Sequence, residues 1–168
     1  MSQGSENRLL DAERDVQAKL GSHPLDFEAM LAISNIYRAA AAVRRRAERE
    51  VLAPYGLSWG GFTIMWVLWV WGEMETAGLA VECDLSKGTL TGMVTTLEKQ
   101  SLVSRTRLAN DKRRVVVALT ALGTQTIEDV FPKFNTFESS MADGLSSEER
   151  QQLARLLRRV VANAGEST

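Results

Sequence analysis

The sequence predicts a mainly helical fold of the α+β class, with one short β-hairpin among its helices. Three observations predict it. Apolar residues recur at three- and four-residue steps through most of the 168-residue chain. Between Leu102 and Thr120 that pattern gives way to two strand-like runs around a polar loop. Two short helical patterns, split by a tight break, stand just before those runs.

The opening stretch, MSQGSENRLLDAERD, is polar and lacks a signal-peptide core. Residues 1–25 form an arm in which Leu9, Leu10, Val16 and Leu20 pattern a short amphipathic helix, ended by Gly21 and Pro24. A long helix follows from Asp26, placed as N-cap, to about Ala53. Phe27, Met30, Leu31, Ile33, Ile36, Tyr37, Ala40, Val43 and Val51 carry its apolar repeat, and Pro54 and Gly56 stop it. Its later turns, Arg44–Glu50, read as a solvated face of acid–base pairs.

All four tryptophans fall in the next stretch, WGGFTIMWVLWVWG. Phe62–Trp71 is an unbroken run of ten apolar or near-apolar residues, half of the roughly 20 that a membrane helix needs. Gly60, Gly61, Gly72, Glu73 and Glu75 close both of its ends. Ser58 caps a helix here, with Trp59, Phe62, Trp66 and Trp69 on one stripe and Trp71 well off it. A helix apolar on nearly all sides is expected to be buried on nearly all sides.

Gly78–Cys83 and then Ser86–Gln100 are the paired short helices, a helix-turn-helix unit. Leu90, Met93, Val94 and Leu97 form the inward stripe of the second helix. Leu102–Leu108 alternates apolar and polar, Val115–Thr120 is β-branched, and Ala109–Arg114 joins them as the loop of a wing. Thr120 caps a helix to about Asp143, with a kink expected at Pro132. Ser146 and Glu149 form a capping box for the last helix. The architecture is therefore a winged helix-turn-helix, with a two-stranded β wing, set in a helical frame.

Net charge is −1, but the charge is unevenly placed. From Asp84 to Thr120 seven basic residues face three acidic ones, a +4 island in a remainder of −5. A local basic patch is the electrostatic footprint of nucleic-acid binding. The second helix of such a unit enters the major groove with its N-terminal residues. Ser86, Lys87, Gly88, Thr89 and Thr91 stand there, with Thr95 on the same outer face. The wing offers Lys112, Arg113 and Arg114, and a narrow minor groove attracts arginine. No Gly-rich phosphate loop, His-containing dyad or metal-ligand spacing is present, so no enzyme, cofactor or metal is expected. The residues leave one alternative open, a winged-helix protein-interaction module without DNA binding. Steep salt dependence separates the two, because counterion release is a DNA signature.

The segment SKGTLTGMVTTLEKQSLVSRTRLANDKRRVVVALTALG resembles the MarR-type regulators of bacteria. Thr89, Thr91, Leu97, Glu98, Leu102, Val103, Arg105, Asp111, Arg113, Leu119, Thr120 and Gly123 fill the family pattern, and the Arg105–Asp111–Arg113 spacing is diagnostic. The element order extends the resemblance over residues 26–163, leaving 164–168 as a tail. The resemblance implies a cytoplasmic homodimer on a pseudo-palindromic double-stranded DNA operator. Residues 26–56 and 121–163 would form the dimerisation helices and 57–120 the DNA-binding part. Arg113 would enter the minor groove, braced by Asp111 together with Arg105. A small aromatic or phenolic effector would release a repressor by binding between the dimerisation helices and the head. Trp59, Trp66 and Trp69 are the candidate aromatic walls, and Arg38, Arg45 or Arg49 a counter-charge for a carboxylate ligand. The chain departs from the family in three places: Gly92 stands where many members have arginine, Ser101 replaces the usual glycine, and the wing has no proline before Asp111. Some relatives sense oxidants through a cysteine near the start of the first long helix. Cys83 lies in the helix-turn-helix instead and reads as packed and inert. His23, the one histidine, receives no role.

Overall fold

A computed structural model describes the backbone of residues 3–108 and 114–165, and the side chains among them from Asp11 onward. The chain divides into two compact units, Met1–Arg45 and Arg46–Thr168. In the first unit, helix α1 (Gln3–Leu20) pairs with the start of α2 (Phe27–Ala47). The connection is short, and Asp26 Oδ1 caps α2 by accepting the Ala29 N–H at 2.9 Å. Glu13 joins the two helices, accepting from Asn35 Nδ2 at 2.9 Å with Arg38 NH1 at 3.9 Å. The arm is thus docked on α2, and the division falls inside α2 instead of at residue 25.

The predicted long helix does not run on as an α-helix to Ala53. It widens into a π-helical turn, Glu48–Leu52, and tightens to a 3₁₀ turn, Ala53–Tyr55, before Gly56 at φ 64°. The left-handed Gly56 ends it as the sequence suggests, because a side chain there would be strained. The second unit then continues through α3 (Trp59–Trp71), β1 (Met74–Glu75), α4 (Thr76–Glu82) and α5 (Lys87–Lys99). It is completed by β2 (Val103–Arg107), β3 (Val115–Leu119), α6 (Ala121–Met141) and α7 (Ser147–Asn163). Leu52, Ile64, Met65, Val67, Leu79, Leu90, Val94, Val103, Val117, Ile127 and Val130 are its largest fully buried side chains.

The caps read from the sequence are present. Ser58 Oγ accepts the Gly61 N–H at 3.1 Å and Thr120 Oγ1 the Gly123 N–H at 3.0 Å. In the capping box, Ser146 Oγ accepts from Glu149 N at 3.2 Å while Glu149 Oε2 accepts from Ser146 N at 2.7 Å. The sheet has one strand more than predicted. Its order is β1-β3-β2, all antiparallel, with Met74 opposite Val117 and Val103 opposite Leu119. A two-residue strand has no periodicity to read.

The tryptophan helix is not buried all round. Gly60, Gly61, Phe62, Ile64, Met65, Val67 and Leu68 are buried, Trp59 and Trp66 are half-buried, and Trp69 and Trp71 are 37% and 54% exposed. The core takes the arc that carries the glycines, because there α5 comes close. A Cβ on Gly60 would lie 2.6 Å from Met93 Sδ, and one on Gly61 3.5 Å from Leu97 Cδ2. The aromatic stripe is left at the edge of that arc.

Two backbone positions give opposite expectations for stability. A Cβ on Gly123 would stand 1.9 Å from the Leu102 carbonyl oxygen, a backbone atom held by the Thr120 N–H at 3.1 Å. Gly123→Ala should therefore destabilise the fold by about 2 kcal/mol or more. Ser101 holds φ 59° just after α5, so Ser101→Gly should stabilise by roughly 1 kcal/mol. Urea titrations of the two variants should move the midpoint in opposite directions.

Candidate nucleic-acid interface and aromatic cleft

Helix α5 presents its first turn to the outside. Ser86 Oγ accepts the Thr89 N–H at 3.2 Å and lies 2.8 Å from Thr89 Oγ1. Ser86, Lys87, Gly88, Thr89 and Thr91 are all exposed, and Thr95 is half-buried. The Thr91 hydroxyl donates to the Lys87 carbonyl at 2.7 Å and the Thr95 hydroxyl to the Thr91 carbonyl at 2.8 Å. With its hydrogen turned inward, Thr91 offers an acceptor oxygen and a methyl, whereas the Thr95 oxygen also lies 3.4 Å from Arg105 NH1. Such a surface accepts from a base amine and packs a thymine methyl. Lys87 is the exposed cation beside this helix N-terminus, an end whose free N–H groups favour an anion. Gly92, like Gly88, has nothing within 4 Å of where a Cβ would stand, so no long side chain extends the face at that position.

Of the two wing strands, β2 is the exposed one, while β3 is half-buried with Val117 in the core. In β2 only Val103 is buried, and Ser104, Arg105, Thr106 and Arg107 are exposed. Arg105 is held against α5: its Nε donates to Glu98 Oε2 at 3.0 Å, its NH2 also reaches Glu98, and its NH1 reaches Thr95 Oγ1 at 3.4 Å. The arginine hydrogen bond holds the Glu98 carboxyl below its usual range, and Glu98 raises Arg105 in turn. Asp111, Lys112 and Arg113 lie outside the described residues, and with them the expected brace and minor-groove contact. Arg114, expected beside them as a DNA contact, has its guanidinium on the Glu75 carboxylate, which it likewise holds below its usual range. Neither Glu98 nor Glu75 stood among the site residues expected from the sequence. Glu98 was visible one turn from Thr95, whereas Glu75 belongs to the strand too short to detect.

A second site lies between α3 and α6. Trp59, Phe62, Thr63 and Trp66 face Phe131, Phe134 and Glu138 across a cleft of about 370 Å³. Its rings interlock, with Phe62 and Phe134 centroids 4.4 Å apart and Trp59 and Phe134 5.8 Å apart. The Thr63 hydroxyl is spent on the Trp59 carbonyl at 2.9 Å. Of the expected ligand residues, the structure brings Trp59 and Trp66 together here. Trp69 stacks outside the lining, 5.3 Å from Phe131, and Arg38 belongs to the N-terminal unit. Glu138 is the one charged residue among the described lining residues.

Residues 57–115 match the MarR family model. The chain is 37% identical over 159 residues to the HTH-type transcriptional regulator YwaE of Bacillus subtilis, covering 93% of each protein. The chain belongs to the MarR family. Among solved structures it resembles an E. coli MarR mutant complexed with operator DNA, with TM-score 0.73 and 23% identity over 80% of this chain and 96% of that one. It also resembles NadR in complex with 4-hydroxyphenylacetate, with TM-score 0.62 and 27% identity over 75% of this chain and 89% of that one. This MarR-family chain is a DNA-binding transcriptional regulator, with α5 as recognition helix and the β2–β3 hairpin as wing. The family consists of transcriptional regulators, not enzymes. No single helix among the described residues is long and apolar enough to cross a membrane.

Cys83 closes α4, 9% exposed. Burial first, and then the charge of Glu82, push its thiol from 9.0 up to about 11. At neutral pH this reduces the reactive thiolate about 100-fold. A thiol-specific chromogenic reagent should therefore react about 100-fold more slowly with native protein than with urea-unfolded protein.

Proposed function

We propose that the protein is a cytoplasmic homodimeric repressor that an uncharged or amine-bearing aromatic molecule releases from its operator. The observation that carries this reading is the cleft of Trp59, Trp66, Phe131 and Phe134. One wall, α3, packs on the recognition helix, and the other, α6, belongs to the helical frame. A ligand seated between them touches both and shifts their spacing if it binds one spacing better than the other. Aromatic walls suit a flat ring, and the Glu138 carboxylate selects a hydrogen-bond donor, such as a phenol or arylamine, over an aryl acid. The ligand of NadR, 4-hydroxyphenylacetate, carries both a phenol and a carboxylate; in this reading Glu138 favours the phenol and disfavours the acid.

In this reading residues 57–120 form the reading head, and the first long helix and α6–α7 supply the dimer contact. Helix α7 supports that assignment. It has no buried residue, while Leu153, Leu156, Leu157 and Val161 form an exposed apolar stripe along it. Such a stripe on a frame helix calls for a partner helix. A dimer sets two heads on two half-sites of a pseudo-palindromic duplex. The base-contact roles go to Thr89, Thr91 and Thr95, phosphate contact to Ser86, Lys87 and the Gly88 backbone, and the minor groove to Arg113, with Asp111 and Lys112 beside it.

The test begins with a duplex selected from a random library and anisotropy at several salt concentrations. Lys87→Ala should lower the log–log salt slope by about one. Arg113→Ala should weaken binding about tenfold or more while the dimer persists by light scattering. Wild-type affinity in Arg113→Ala would remove the wing from the reading.

The same duplex then reports release. A phenol should displace DNA and quench Trp59 and Trp66 at lower concentration than a benzoate of equal size. Glu138→Gln should narrow the difference between them. An aryl acid that outcompetes the phenol sinks the assigned role of Glu138.

A further inference from the structure

Each strand of the wing is tied to a neighbouring element by an arginine–carboxylate pair. On β2 the tie is Arg105 with Glu98 of α5, and on the β3 side it is Arg114 with Glu75 of β1. Arg114 Nε donates to Glu75 Oε2 at 2.9 Å and its NH2 to the second oxygen, Oε1, a two-point fork. Strand register explains the pair. Glu75 stands opposite Val116. Arg114, two residues back, is therefore its diagonal neighbour on the same face. The backbone ladder of β1 covers only two residues, Met74 and Glu75. The fork extends the grip of β1 to the residue whose carbonyl accepts the Leu108 N–H at 3.1 Å, where the ribbon closes.

We infer that Glu75 is a positioning residue for DNA binding, fixing through Arg114 the direction in which the wing leaves the sheet. The inference rests on the wing meeting DNA. A two-stranded ribbon is marginal alone and takes its orientation from what anchors its strands. A ribbon that swings must be ordered on binding, at a cost in affinity. The sign of the effect is unusual. A carboxylate near DNA ordinarily opposes the phosphates, so its removal should tighten binding, whereas removal of a positioning carboxylate loosens it.

Three forms of the full-length protein decide the matter: wild type, Glu75→Gln, and the exchanged double variant Glu75→Arg/Arg114→Glu. In Glu75→Gln, Leu108 amide hydrogen exchange should accelerate and the Kd for the selected duplex should weaken, each by about fivefold. The salt slope should stay unchanged, since no phosphate-binding charge is lost. The double variant should recover both Leu108 protection and affinity. Tighter binding in Glu75→Gln, with a slope steeper by about one, would make Arg114 a phosphate contact and overturn the inference. A double variant that recovers protection without affinity overturns it too. If wild type shows no salt-sensitive DNA binding, the DNA reading has failed, and the positioning role falls with it. Unchanged Leu108 exchange in Glu75→Gln shows instead that the clamp does not hold the wing, whatever the protein binds.

Discussion

The close approach of α3 to α5 governs the rest of the head. A Cβ on Gly60 would meet the flexible end of Met93, and one on Gly61 would stand in ordinary contact with Leu97 Cδ2. Two glycines at the start of a helix cost conformational entropy, and here they let the recognition helix lie directly on the tryptophan helix. Once that contact is made, Leu90, Val94 and Leu97 must face inward, which turns the Lys87–Thr91 face out. It also leaves Trp59 and Trp66 at the rim, facing α6. The outward reading face and the aromatic cleft thus follow from one packing choice, on two sides of the same pair of helices.

This explains how the sequence was readable in some respects and not in others. The caps were legible because each is local: Asp26, Ser58, Ser86, Thr120 and Ser146 each stand three residues before the amide they accept. The wing was legible because alternation and a β-branched run differ from helical spacing. The buried side of α3 was not. In a helix with apolar residues on every side, periodicity loses its direction, and the partner decides which arc is core. The signal was there in Gly60 and Gly61, which read as helix-end punctuation but mark the contact with α5. The π turn at Glu48–Leu52 left no mark either. The apolar spacing that predicts a helix to Ala53 holds whether each turn closes on the fourth or the fifth residue.

Charge shows a similar limit. Counting along the chain gives an island of +4 around the wing, but the count does not say what each cation already holds. Arg105 sits on Glu98, a residue of the same island, and Arg114 on Glu75, nine residues before the island begins. Among the described residues, Arg105 and Arg114 are therefore cations of the island already engaged within the fold. Exposed pairs of this kind contribute little to global stability. Their value lies in direction, because a guanidinium forked onto a carboxylate has one geometry where a solvated one has many.

The cleft and the wing are close in sequence as well as in construction. Trp66 and Trp71 sit edge to face, 5.1 Å between centroids, at the end of α3. Only Gly72 and Glu73 separate Trp71 from β1, and β1 joins β3 through the ladder and the Glu75 fork. A shift of α3 against α6 therefore reaches two parts of the reading head at once. It moves α5 through the glycine contact and the wing base through β1. Rigid packing transmits displacement instead of absorbing it, so even a small change at the aromatic rim has a mechanical route to both DNA-reading elements. Filling the cleft need not deform the head. It is enough that α3, one wall of the cleft, is also the helix on which α5 packs.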